Sequence, residues 1–207
     1  MAADKWANPQ AMWDERYRAP EPIFGLKPNV FLQGQTSRLE PGAKVLVPGD
    51  GYGRNGLWLA QKGFRVHTVD LSPEGVRLAK KAAEEAGQVL TIEQGDLATW
   101  NWPVGEFDCV ASIFVHLPPD LRTRVHASML RALKPGGVVL LEAFSPGQLQ
   151  FSSGGPKDLN LLYSAERLRG DFSAAEVVEL AEAQVHLEEG PKHTGPAAVV
   201  QGVFRAR

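Results

Sequence analysis

The sequence predicts an α/β fold: a seven-stranded, mostly parallel sheet with helices on both faces and an antiparallel hairpin at its C-terminal end. Three observations carry this prediction. Apolar, strand-like runs alternate with helix-like segments from residue 43 to residue 143, the order that builds a parallel sheet by crossover connections. A glycine turn joins the first run to the first of these helices, in Val45-Leu-Val-Pro-Gly-Asp-Gly-Tyr-Gly-Arg-Asn-Gly-Leu-Trp-Leu-Ala60. Two strand-like stretches then close the chain around the polar segment Glu188-Glu-Gly-Pro-Lys-His-Thr-Gly-Pro196, which makes them an antiparallel pair.

The elements follow in chain order. A short helix is expected around 8–18, then a proline-rich joint, Ala19-Pro-Glu-Pro22, then a second helix over 29–39. Residues 1–40 read as a helical cap over the site and 41–207 as the core, one domain overall. Strands are expected near 43–47, 64–69, 89–93, 107–113 and 137–143, with helices near 54–62, 73–86 and 119–133. Ser72-Pro73-Glu74 is a helix start, with serine as N-cap and proline at the first position, and Gly87 stops that helix. Lys134-Pro-Gly-Gly137 breaks the next helix and turns into Val138-Val-Leu-Leu141, the continuous apolar run of a buried strand. The Gly-, Ser- and Pro-rich stretch 144–163 reads as a loop over the site, and 174–187 and 197–206 as the closing strands.

Composition narrows the function. At 207 residues, 43% hydrophobic and 22% charged, the chain is large enough to bury a core of its own. A net charge of −2, with no Lys/Arg run longer than Lys80-Lys81, offers no footprint for nucleic acid or anionic lipid. Cys109 is the only cysteine, so no intrachain disulfide forms, which fits a cytoplasmic location. Met1-Ala-Ala-Asp-Lys-Trp6 lacks an apolar signal core, and no run approaches the ~20 apolar residues of a membrane span. The five histidines are scattered, so no metal is expected.

The chemistry concentrates in the glycine turn. Glycines let a ligand approach the backbone, a helix N-terminus faces it, and Asp70, ending the run Phe64–Asp70, is placed to grip ribose hydroxyls. Gly51-Tyr-Gly53-Arg-Asn-Gly56 matches the dinucleotide pattern and makes an NAD-dependent oxidoreductase a legitimate reading. Against it stand the short chain, the absence of a Tyr-x-x-x-Lys pair and the terminal hairpin. The spacing Gly49-x-Gly51-x-Gly53 instead suits S-adenosylmethionine, which carries no phosphate.

The glycine loop 47–56, Asp70, Gly95-Asp96-Leu97, Phe107–Phe114 and Leu133-Lys-Pro-Gly-Gly137 together resemble, in this order, the class I S-adenosylmethionine-dependent methyltransferases, with their Rossmann-like fold. Trp13-Asp-Glu-Arg-Tyr17, Pro28-Asn29 and Gly53-Arg-Asn55 are similar to the small tellurite-resistance and thiopurine-type members. The resemblance implies cofactor contacts at Trp13, Tyr17, Gly49, Asp50, Gly51, Gly53, Asn55, Asp70, Leu71, Asp96, Leu97 and Ile113. Asp70 would take the ribose and Asp96 the adenine amino group, with Leu71 and Leu97 sandwiching the ring or serving as core. Members usually carry an acid where Val47 stands; Asp50 is expected to substitute.

Arg54 is read either as a partner for the cofactor carboxylate or an anionic substrate, or as a solvated helix residue. His116, after the fourth strand, and His193, in the terminal polar loop, are the candidate catalytic bases. Trp13, Tyr17 and Phe24 would close over a sulfonium by cation–π attraction. His67, His126 and His186 read as strand or surface residues, and Cys109 as core. The reaction expected is methyl transfer to a small-molecule acceptor, a chalcogen oxyanion or a thiol, by a monomer or homodimer. A protein that binds the cofactor without turnover is the alternative.

Overall fold

Residues 8–207 are described by the computed structural model; the expected N-terminal segment Met1–Trp6 lies outside them. Five strands run parallel: β1 (Lys44–Pro48), β2 (Arg65–Asp70), β3 (Thr91–Gln94), β4 (Phe107–Ile113) and β5 (Leu133–Phe144). β6 (Glu176–Gly190) and β7 (His193–Arg205) form the antiparallel hairpin, with β7 paired antiparallel to β5. The sheet order is β3-β2-β1-β4-β5-β7-β6. The chain therefore reverses direction across the sheet between β1 and β4, and a crevice opens at the strand C-termini on either side of that point.

The helices are α1 (Pro9–Tyr17), α2 (Val30–Gln35), α3 (Arg54–Gln61), α4 (Pro73–Glu85), α5 (Pro119–Ala132) and α6 (Ala165–Asp171). α4 starts as its sequence demands: the Ser72 hydroxyl accepts from the Gly75 amide at 3.0 Å and proline follows at the first helical position. Its buried stripe of Val76, Ala79 and Ala83 recurs at helical spacing. Leu46, Val110, Val139 and Leu141 fill the sheet's interior, and each such side chain contributes about 1.5–3 kcal/mol when removed from water. α1 is anchored to the start of α4, where Asp14 accepts from the Ser72 hydroxyl and, at 3.3 Å, from the Glu74 amide.

Three expectations are corrected. The terminal polar stretch is not a loop: β6 and β7 run through it and turn only at Pro191-Lys192, because Glu189 and His193 bury their polar groups against each other. β5 begins at Leu133 rather than after the Lys134-Pro-Gly-Gly137 break, and its pairing with β4 slips between Phe107 and Cys109 to accommodate that segment. α6 was hidden in the sequence by its shortness and polarity; only Leu168 is buried, while Ser164 caps it by accepting from the Arg167 amide at 3.1 Å.

α6 is tied to α5 by a buried cluster that also corrects the reading of His126 as a strand or surface residue. Asp171 accepts from Arg122 Nε at 2.7 Å and bonds His126 Nδ1 at 2.8 Å, while His126 stacks on Phe172 with centroids 4.8 Å apart. Burial pushes the Asp171 carboxyl up, but the hydrogen bonds from His126 and Arg122 outweigh it and hold it at about 2, against 3.8 ordinarily. A depressed carboxylate stabilises the fold above its unfolded pKa, and that contribution drains away as pH falls through the folded value. Urea denaturation should therefore show stability declining between pH 4 and 2, and Asp171→Asn should flatten that limb while costing about 3 kcal/mol at pH 7. An unchanged acid limb would assign it to other groups.

Candidate functional site

A cavity of about 660 Å³ occupies the crevice, floored by the ends of β1, β2 and β4 and roofed by α1. On one side lies the glycine loop. Gly51 is held at φ +60°, and a Cβ there would sit 2.5 Å from Tyr17 Oη, so α1 can close on the loop only over a glycine. Asp70 holds the loop from below: one carboxylate oxygen accepts from the Gly51 amide at 2.8 Å, the other from Ser72 at 2.9 Å. Burial pushes the Asp70 carboxyl up to about 6, against those two hydrogen bonds.

Asp50, expected to replace the acid absent at Val47, lines the cavity but spends its carboxylate within the loop. Its carboxylate turns back onto α3, accepting from the Gly56 amide at 2.9 Å and the Asn55 amide at 3.3 Å. Those first amides of a helix are where a phosphate docks. Here the loop's own acid occupies them, with burial raising its pKa to about 7. Val47 packs in the core. Gly53 is also corrected: it does not line the cavity, and its absent side chain instead admits Ala79, 2.9 Å from where a Cβ would stand. Trp13, Tyr17, Gly49, Asn55, Leu71, Leu97 and Ile113 do line it. Asp96 lines it too; one of its oxygens accepts from the Ala98 amide at 2.9 Å, and the other has no hydrogen-bond partner among the described residues.

On the other side the hairpin meets α3. His193 is 4% exposed, and its Nδ1 lies 2.9 Å from Glu189 Oε2, which also accepts from Arg54 at 2.8 Å. Arg54 is thus neither solvated nor free, since it donates further to the Lys27 carbonyl at 3.0 Å. Glu189 Oε1 accepts from the Asn29 amide group at 3.0 Å, and the same group donates to Glu142 at 2.6 Å. Asn29 is fully committed, for its backbone N–H donates to Asn55 Oδ1 at 3.0 Å and its own Oδ1 caps α2 at Leu32. Gln201 donates to the second Glu142 oxygen at 2.5 Å.

Burial pushes the Glu189 carboxyl up, but the hydrogen bond from His193 and the Arg54 charge prevail and hold it below the usual range. Burial holds His193 below the usual imidazole value, against the pull of Glu189. Its Nδ1–H donates to the carboxylate, so Nε2 carries the lone pair. Nε2 has no hydrogen-bond partner among the described residues and faces Gly154, where a Cβ would approach it to 3.4 Å. Both residues line the cavity.

His116 is engaged otherwise. Its Nδ1 donates to the Leu161 carbonyl at 2.6 Å and its Nε2 accepts from the Phe144 amide at 3.3 Å. Burial lowers its pKa to about 4. With both nitrogens committed to backbone, His116 ties the 144–163 segment to the sheet, and its expected role as base is corrected.

Asn29, Glu142, Glu189 and Gln201 were not anticipated as parts of the site. Glu142 carried a signal, as a lone acid closing the buried run Val138–Leu141. Glu189 carried little, because only His193 is a local partner and the others come from α3 and the segment before α2.

A methyltransferase domain model matches residues 45–137. The ubiquinone biosynthesis O-methyltransferase of Xanthomonas axonopodis pv. citri is 34% identical over 151 residues, covering 69% of this chain and 60% of the relative. The chain thus spans less than two thirds of that protein's length. The 2-heptyl-1-hydroxyquinolin-4(1H)-one methyltransferase of Mycobacteroides abscessus is 29% identical over 160 residues, covering 72% of this chain and 70% of the relative. Among solved structures, a chain from work on the conversion of a disulfide bond into a thioacetal group during echinomycin biosynthesis superimposes with TM-score 0.78 at 21% identity, over 95% of this chain and 91% of that one. TehB from Haemophilus influenzae follows at TM-score 0.72 and 17% identity, over 96% and 67%.

The network makes Arg54 the counter-charge of a buried carboxylate. Arg54→Met should cost about 3–5 kcal/mol in urea denaturation, because it strands Glu189. The double variant Arg54→Met/Glu189→Gln should lose clearly less than the sum of the single changes. Additive losses would show that the two side chains are not energetically coupled.

Proposed function

We propose that the chain is a class I S-adenosylmethionine-dependent methyltransferase, and that it transfers a methyl group to an oxygen of a small-molecule acceptor, with His193 as the base. The observation that carries the proposal is the single cavity joining the Asp70 loop to the open Nε2 of His193.

The residues fit this cofactor. Asp70 supplies a buried carboxylate for the ribose hydroxyls, and Asp96 an acceptor for the adenine amino group between Leu71 and Leu97. Trp13 and Tyr17, stacked 5.7 Å apart, supply aromatic faces for a cation, while Gly49, Gly51, Asn55 and Ile113 complete the wall. A dinucleotide fits worse, since Asp50 already fills the helix N-terminus where a pyrophosphate would dock. When bound, S-adenosylmethionine supplies a methyl group on a positively charged sulfur, which is a good leaving group.

The rest falls to side chains of this protein. His193, kept neutral near pH 7 by burial, accepts the acceptor's hydroxyl proton on Nε2. Glu189 fixes the tautomer and stabilises the imidazolium that results, and Arg54 keeps Glu189 charged. The apolar walls exclude water and align the oxygen for in-line attack, an orientation effect worth several kcal/mol. A net charge of −2 supports a small molecule over nucleic acid as acceptor.

Calorimetry should detect binding of S-adenosylmethionine and S-adenosylhomocysteine but not of NAD; binding of NAD alone would sink the proposal. Asp70→Ala should weaken cofactor binding about 10- to 100-fold. The Asp70 carboxylate is needed ionised and its pKa is raised to about 6, so affinity should fall as pH drops through 6. Asp70→Asn should abolish that dependence.

His193→Ala should lower turnover about 10²- to 10⁴-fold with cofactor affinity unchanged. At saturating cofactor, kcat should also fall on the acid side, below the ordinary histidine value of 6.5, as His193 protonates. Full turnover by His193→Ala would remove the base.

A further inference from the structure

Resting on the methyl-transfer reading, we infer that the acceptor is an uncharged, flat ring carrying an acidic hydroxyl on an unsaturated carbon, the phenol or enol class, and that Phe114 selects it. Three independent features of the hairpin side of the cavity lead there.

The first is the wall. Phe24, Phe114 and Phe144 surround the His193 imidazole, with centroids 5.0, 4.7 and 5.5 Å away. All four residues line the cavity, with Val115 and Leu161 beside them. Aromatic rings that line a cavity hold a planar guest by offset or edge-to-face packing. A compact tetrahedral or pyramidal guest makes no comparable contact.

The second is charge. A buried oxyanion needs a cation or several donors. Arg54, the cation bonded to the base's own partner, is already held by Glu189 and the Lys27 carbonyl, while Lys157 and Lys192 also line the cavity. The next groups inward are Glu189 and Glu142, both carboxyls. An oxyanion seated at His193 would have to draw its counter-charge from Lys157 or Lys192, because Arg54 is committed; an uncharged hydroxyl needs none.

The third is backbone strain. Phe114 sits at φ +54°, the left-handed region that strains a bulky side chain and suits glycine. Its amide is fixed by the Glu142 carbonyl at 2.7 Å. The chain keeps a phenyl ring where its backbone favours glycine, and that ring stands edge-to-face with the base.

Proton balance agrees. His193 Nε2 takes the hydroxyl proton as the carbon–oxygen bond forms and the carbon–sulfur bond breaks, leaving a neutral thioether, an aryl or enol ether and an imidazolium held by Glu189. A phenol, with a reference pKa near ~10, lies within reach of an imidazole, whereas an alkyl alcohol near water's ~15.7 does not.

The test has two arms. S-adenosylhomocysteine binding by calorimetry reports fold and cofactor site. S-adenosylhomocysteine formation is then measured with phenol, catechol and 1-naphthol, against cyclohexanol, 2-mercaptoethanol and selenite. The phenols should turn over and the others should not. Phe114→Leu and Phe114→Ala should raise KM for 1-naphthol at least about 10-fold with S-adenosylhomocysteine affinity unchanged, and His193→Gln should lose kcat rather than KM. Turnover of selenite or the thiol but not of the phenols, or an unmoved KM in both Phe114 variants, would overturn the inference while leaving methyl transfer standing. Failure to bind S-adenosylhomocysteine would instead overturn the reading beneath it.

Discussion

The buried ion pair between Arg54 and Glu189 is the constraint on which both halves of the cavity depend. Arg54 opens the helix behind the glycine loop, and Glu189 belongs to the terminal hairpin, 135 residues on. Their side chains are 7% and 3% exposed, so little solvent screens them. Such a pair recovers its desolvation cost only when its remaining valences are filled. Lys27, Asn29 and His193 fill them. The segment before α2, the loop helix and the hairpin are thereby held in one geometry.

That geometry goes with a division of labour between two acids, Asp50 within the loop and Asp70 at the end of β2. Asp50 and Asp70 both lie in the glycine loop's hydrogen-bond shell, and burial raises both, yet they face different ways. Asp50 is turned inward onto amides of α3, and Asp70 sits under Gly51 at the cavity. Two neighbouring buried carboxylates repel each other, so each needs its own donors, and each takes two backbone amides. The loop is shaped as much by this need as by its glycines.

Where the chain's pattern is local, it was legible. Strand and helix alternation, the Ser72 cap and the antiparallel hairpin follow from periodicity and short-range chemistry. What the sequence concealed is what depends on contacts between distant segments. Glu189 and His193 looked like loop residues because they are polar, and only their mutual bond and Arg54 let them lie in buried strands. His116 looked like a base because it follows a strand, and only the fold brings the Leu161 carbonyl to its ring. Asp50 lines the cavity, yet its carboxylate's partners were five and six residues ahead and could have been read as a helix cap.

The inward turn of Asp50 has a consequence for selectivity. A glycine loop that leaves its helix amides vacant attracts any phosphorylated nucleoside by charge alone. This loop answers two of those amides, of Asn55 and Gly56, from within its own chain, which removes them as donors to a phosphate. On the proposed function, discrimination against nucleotides would rest on prior occupancy rather than on the shape of a pocket. It survives small movements of the walls, and it is encoded in a single residue of the turn.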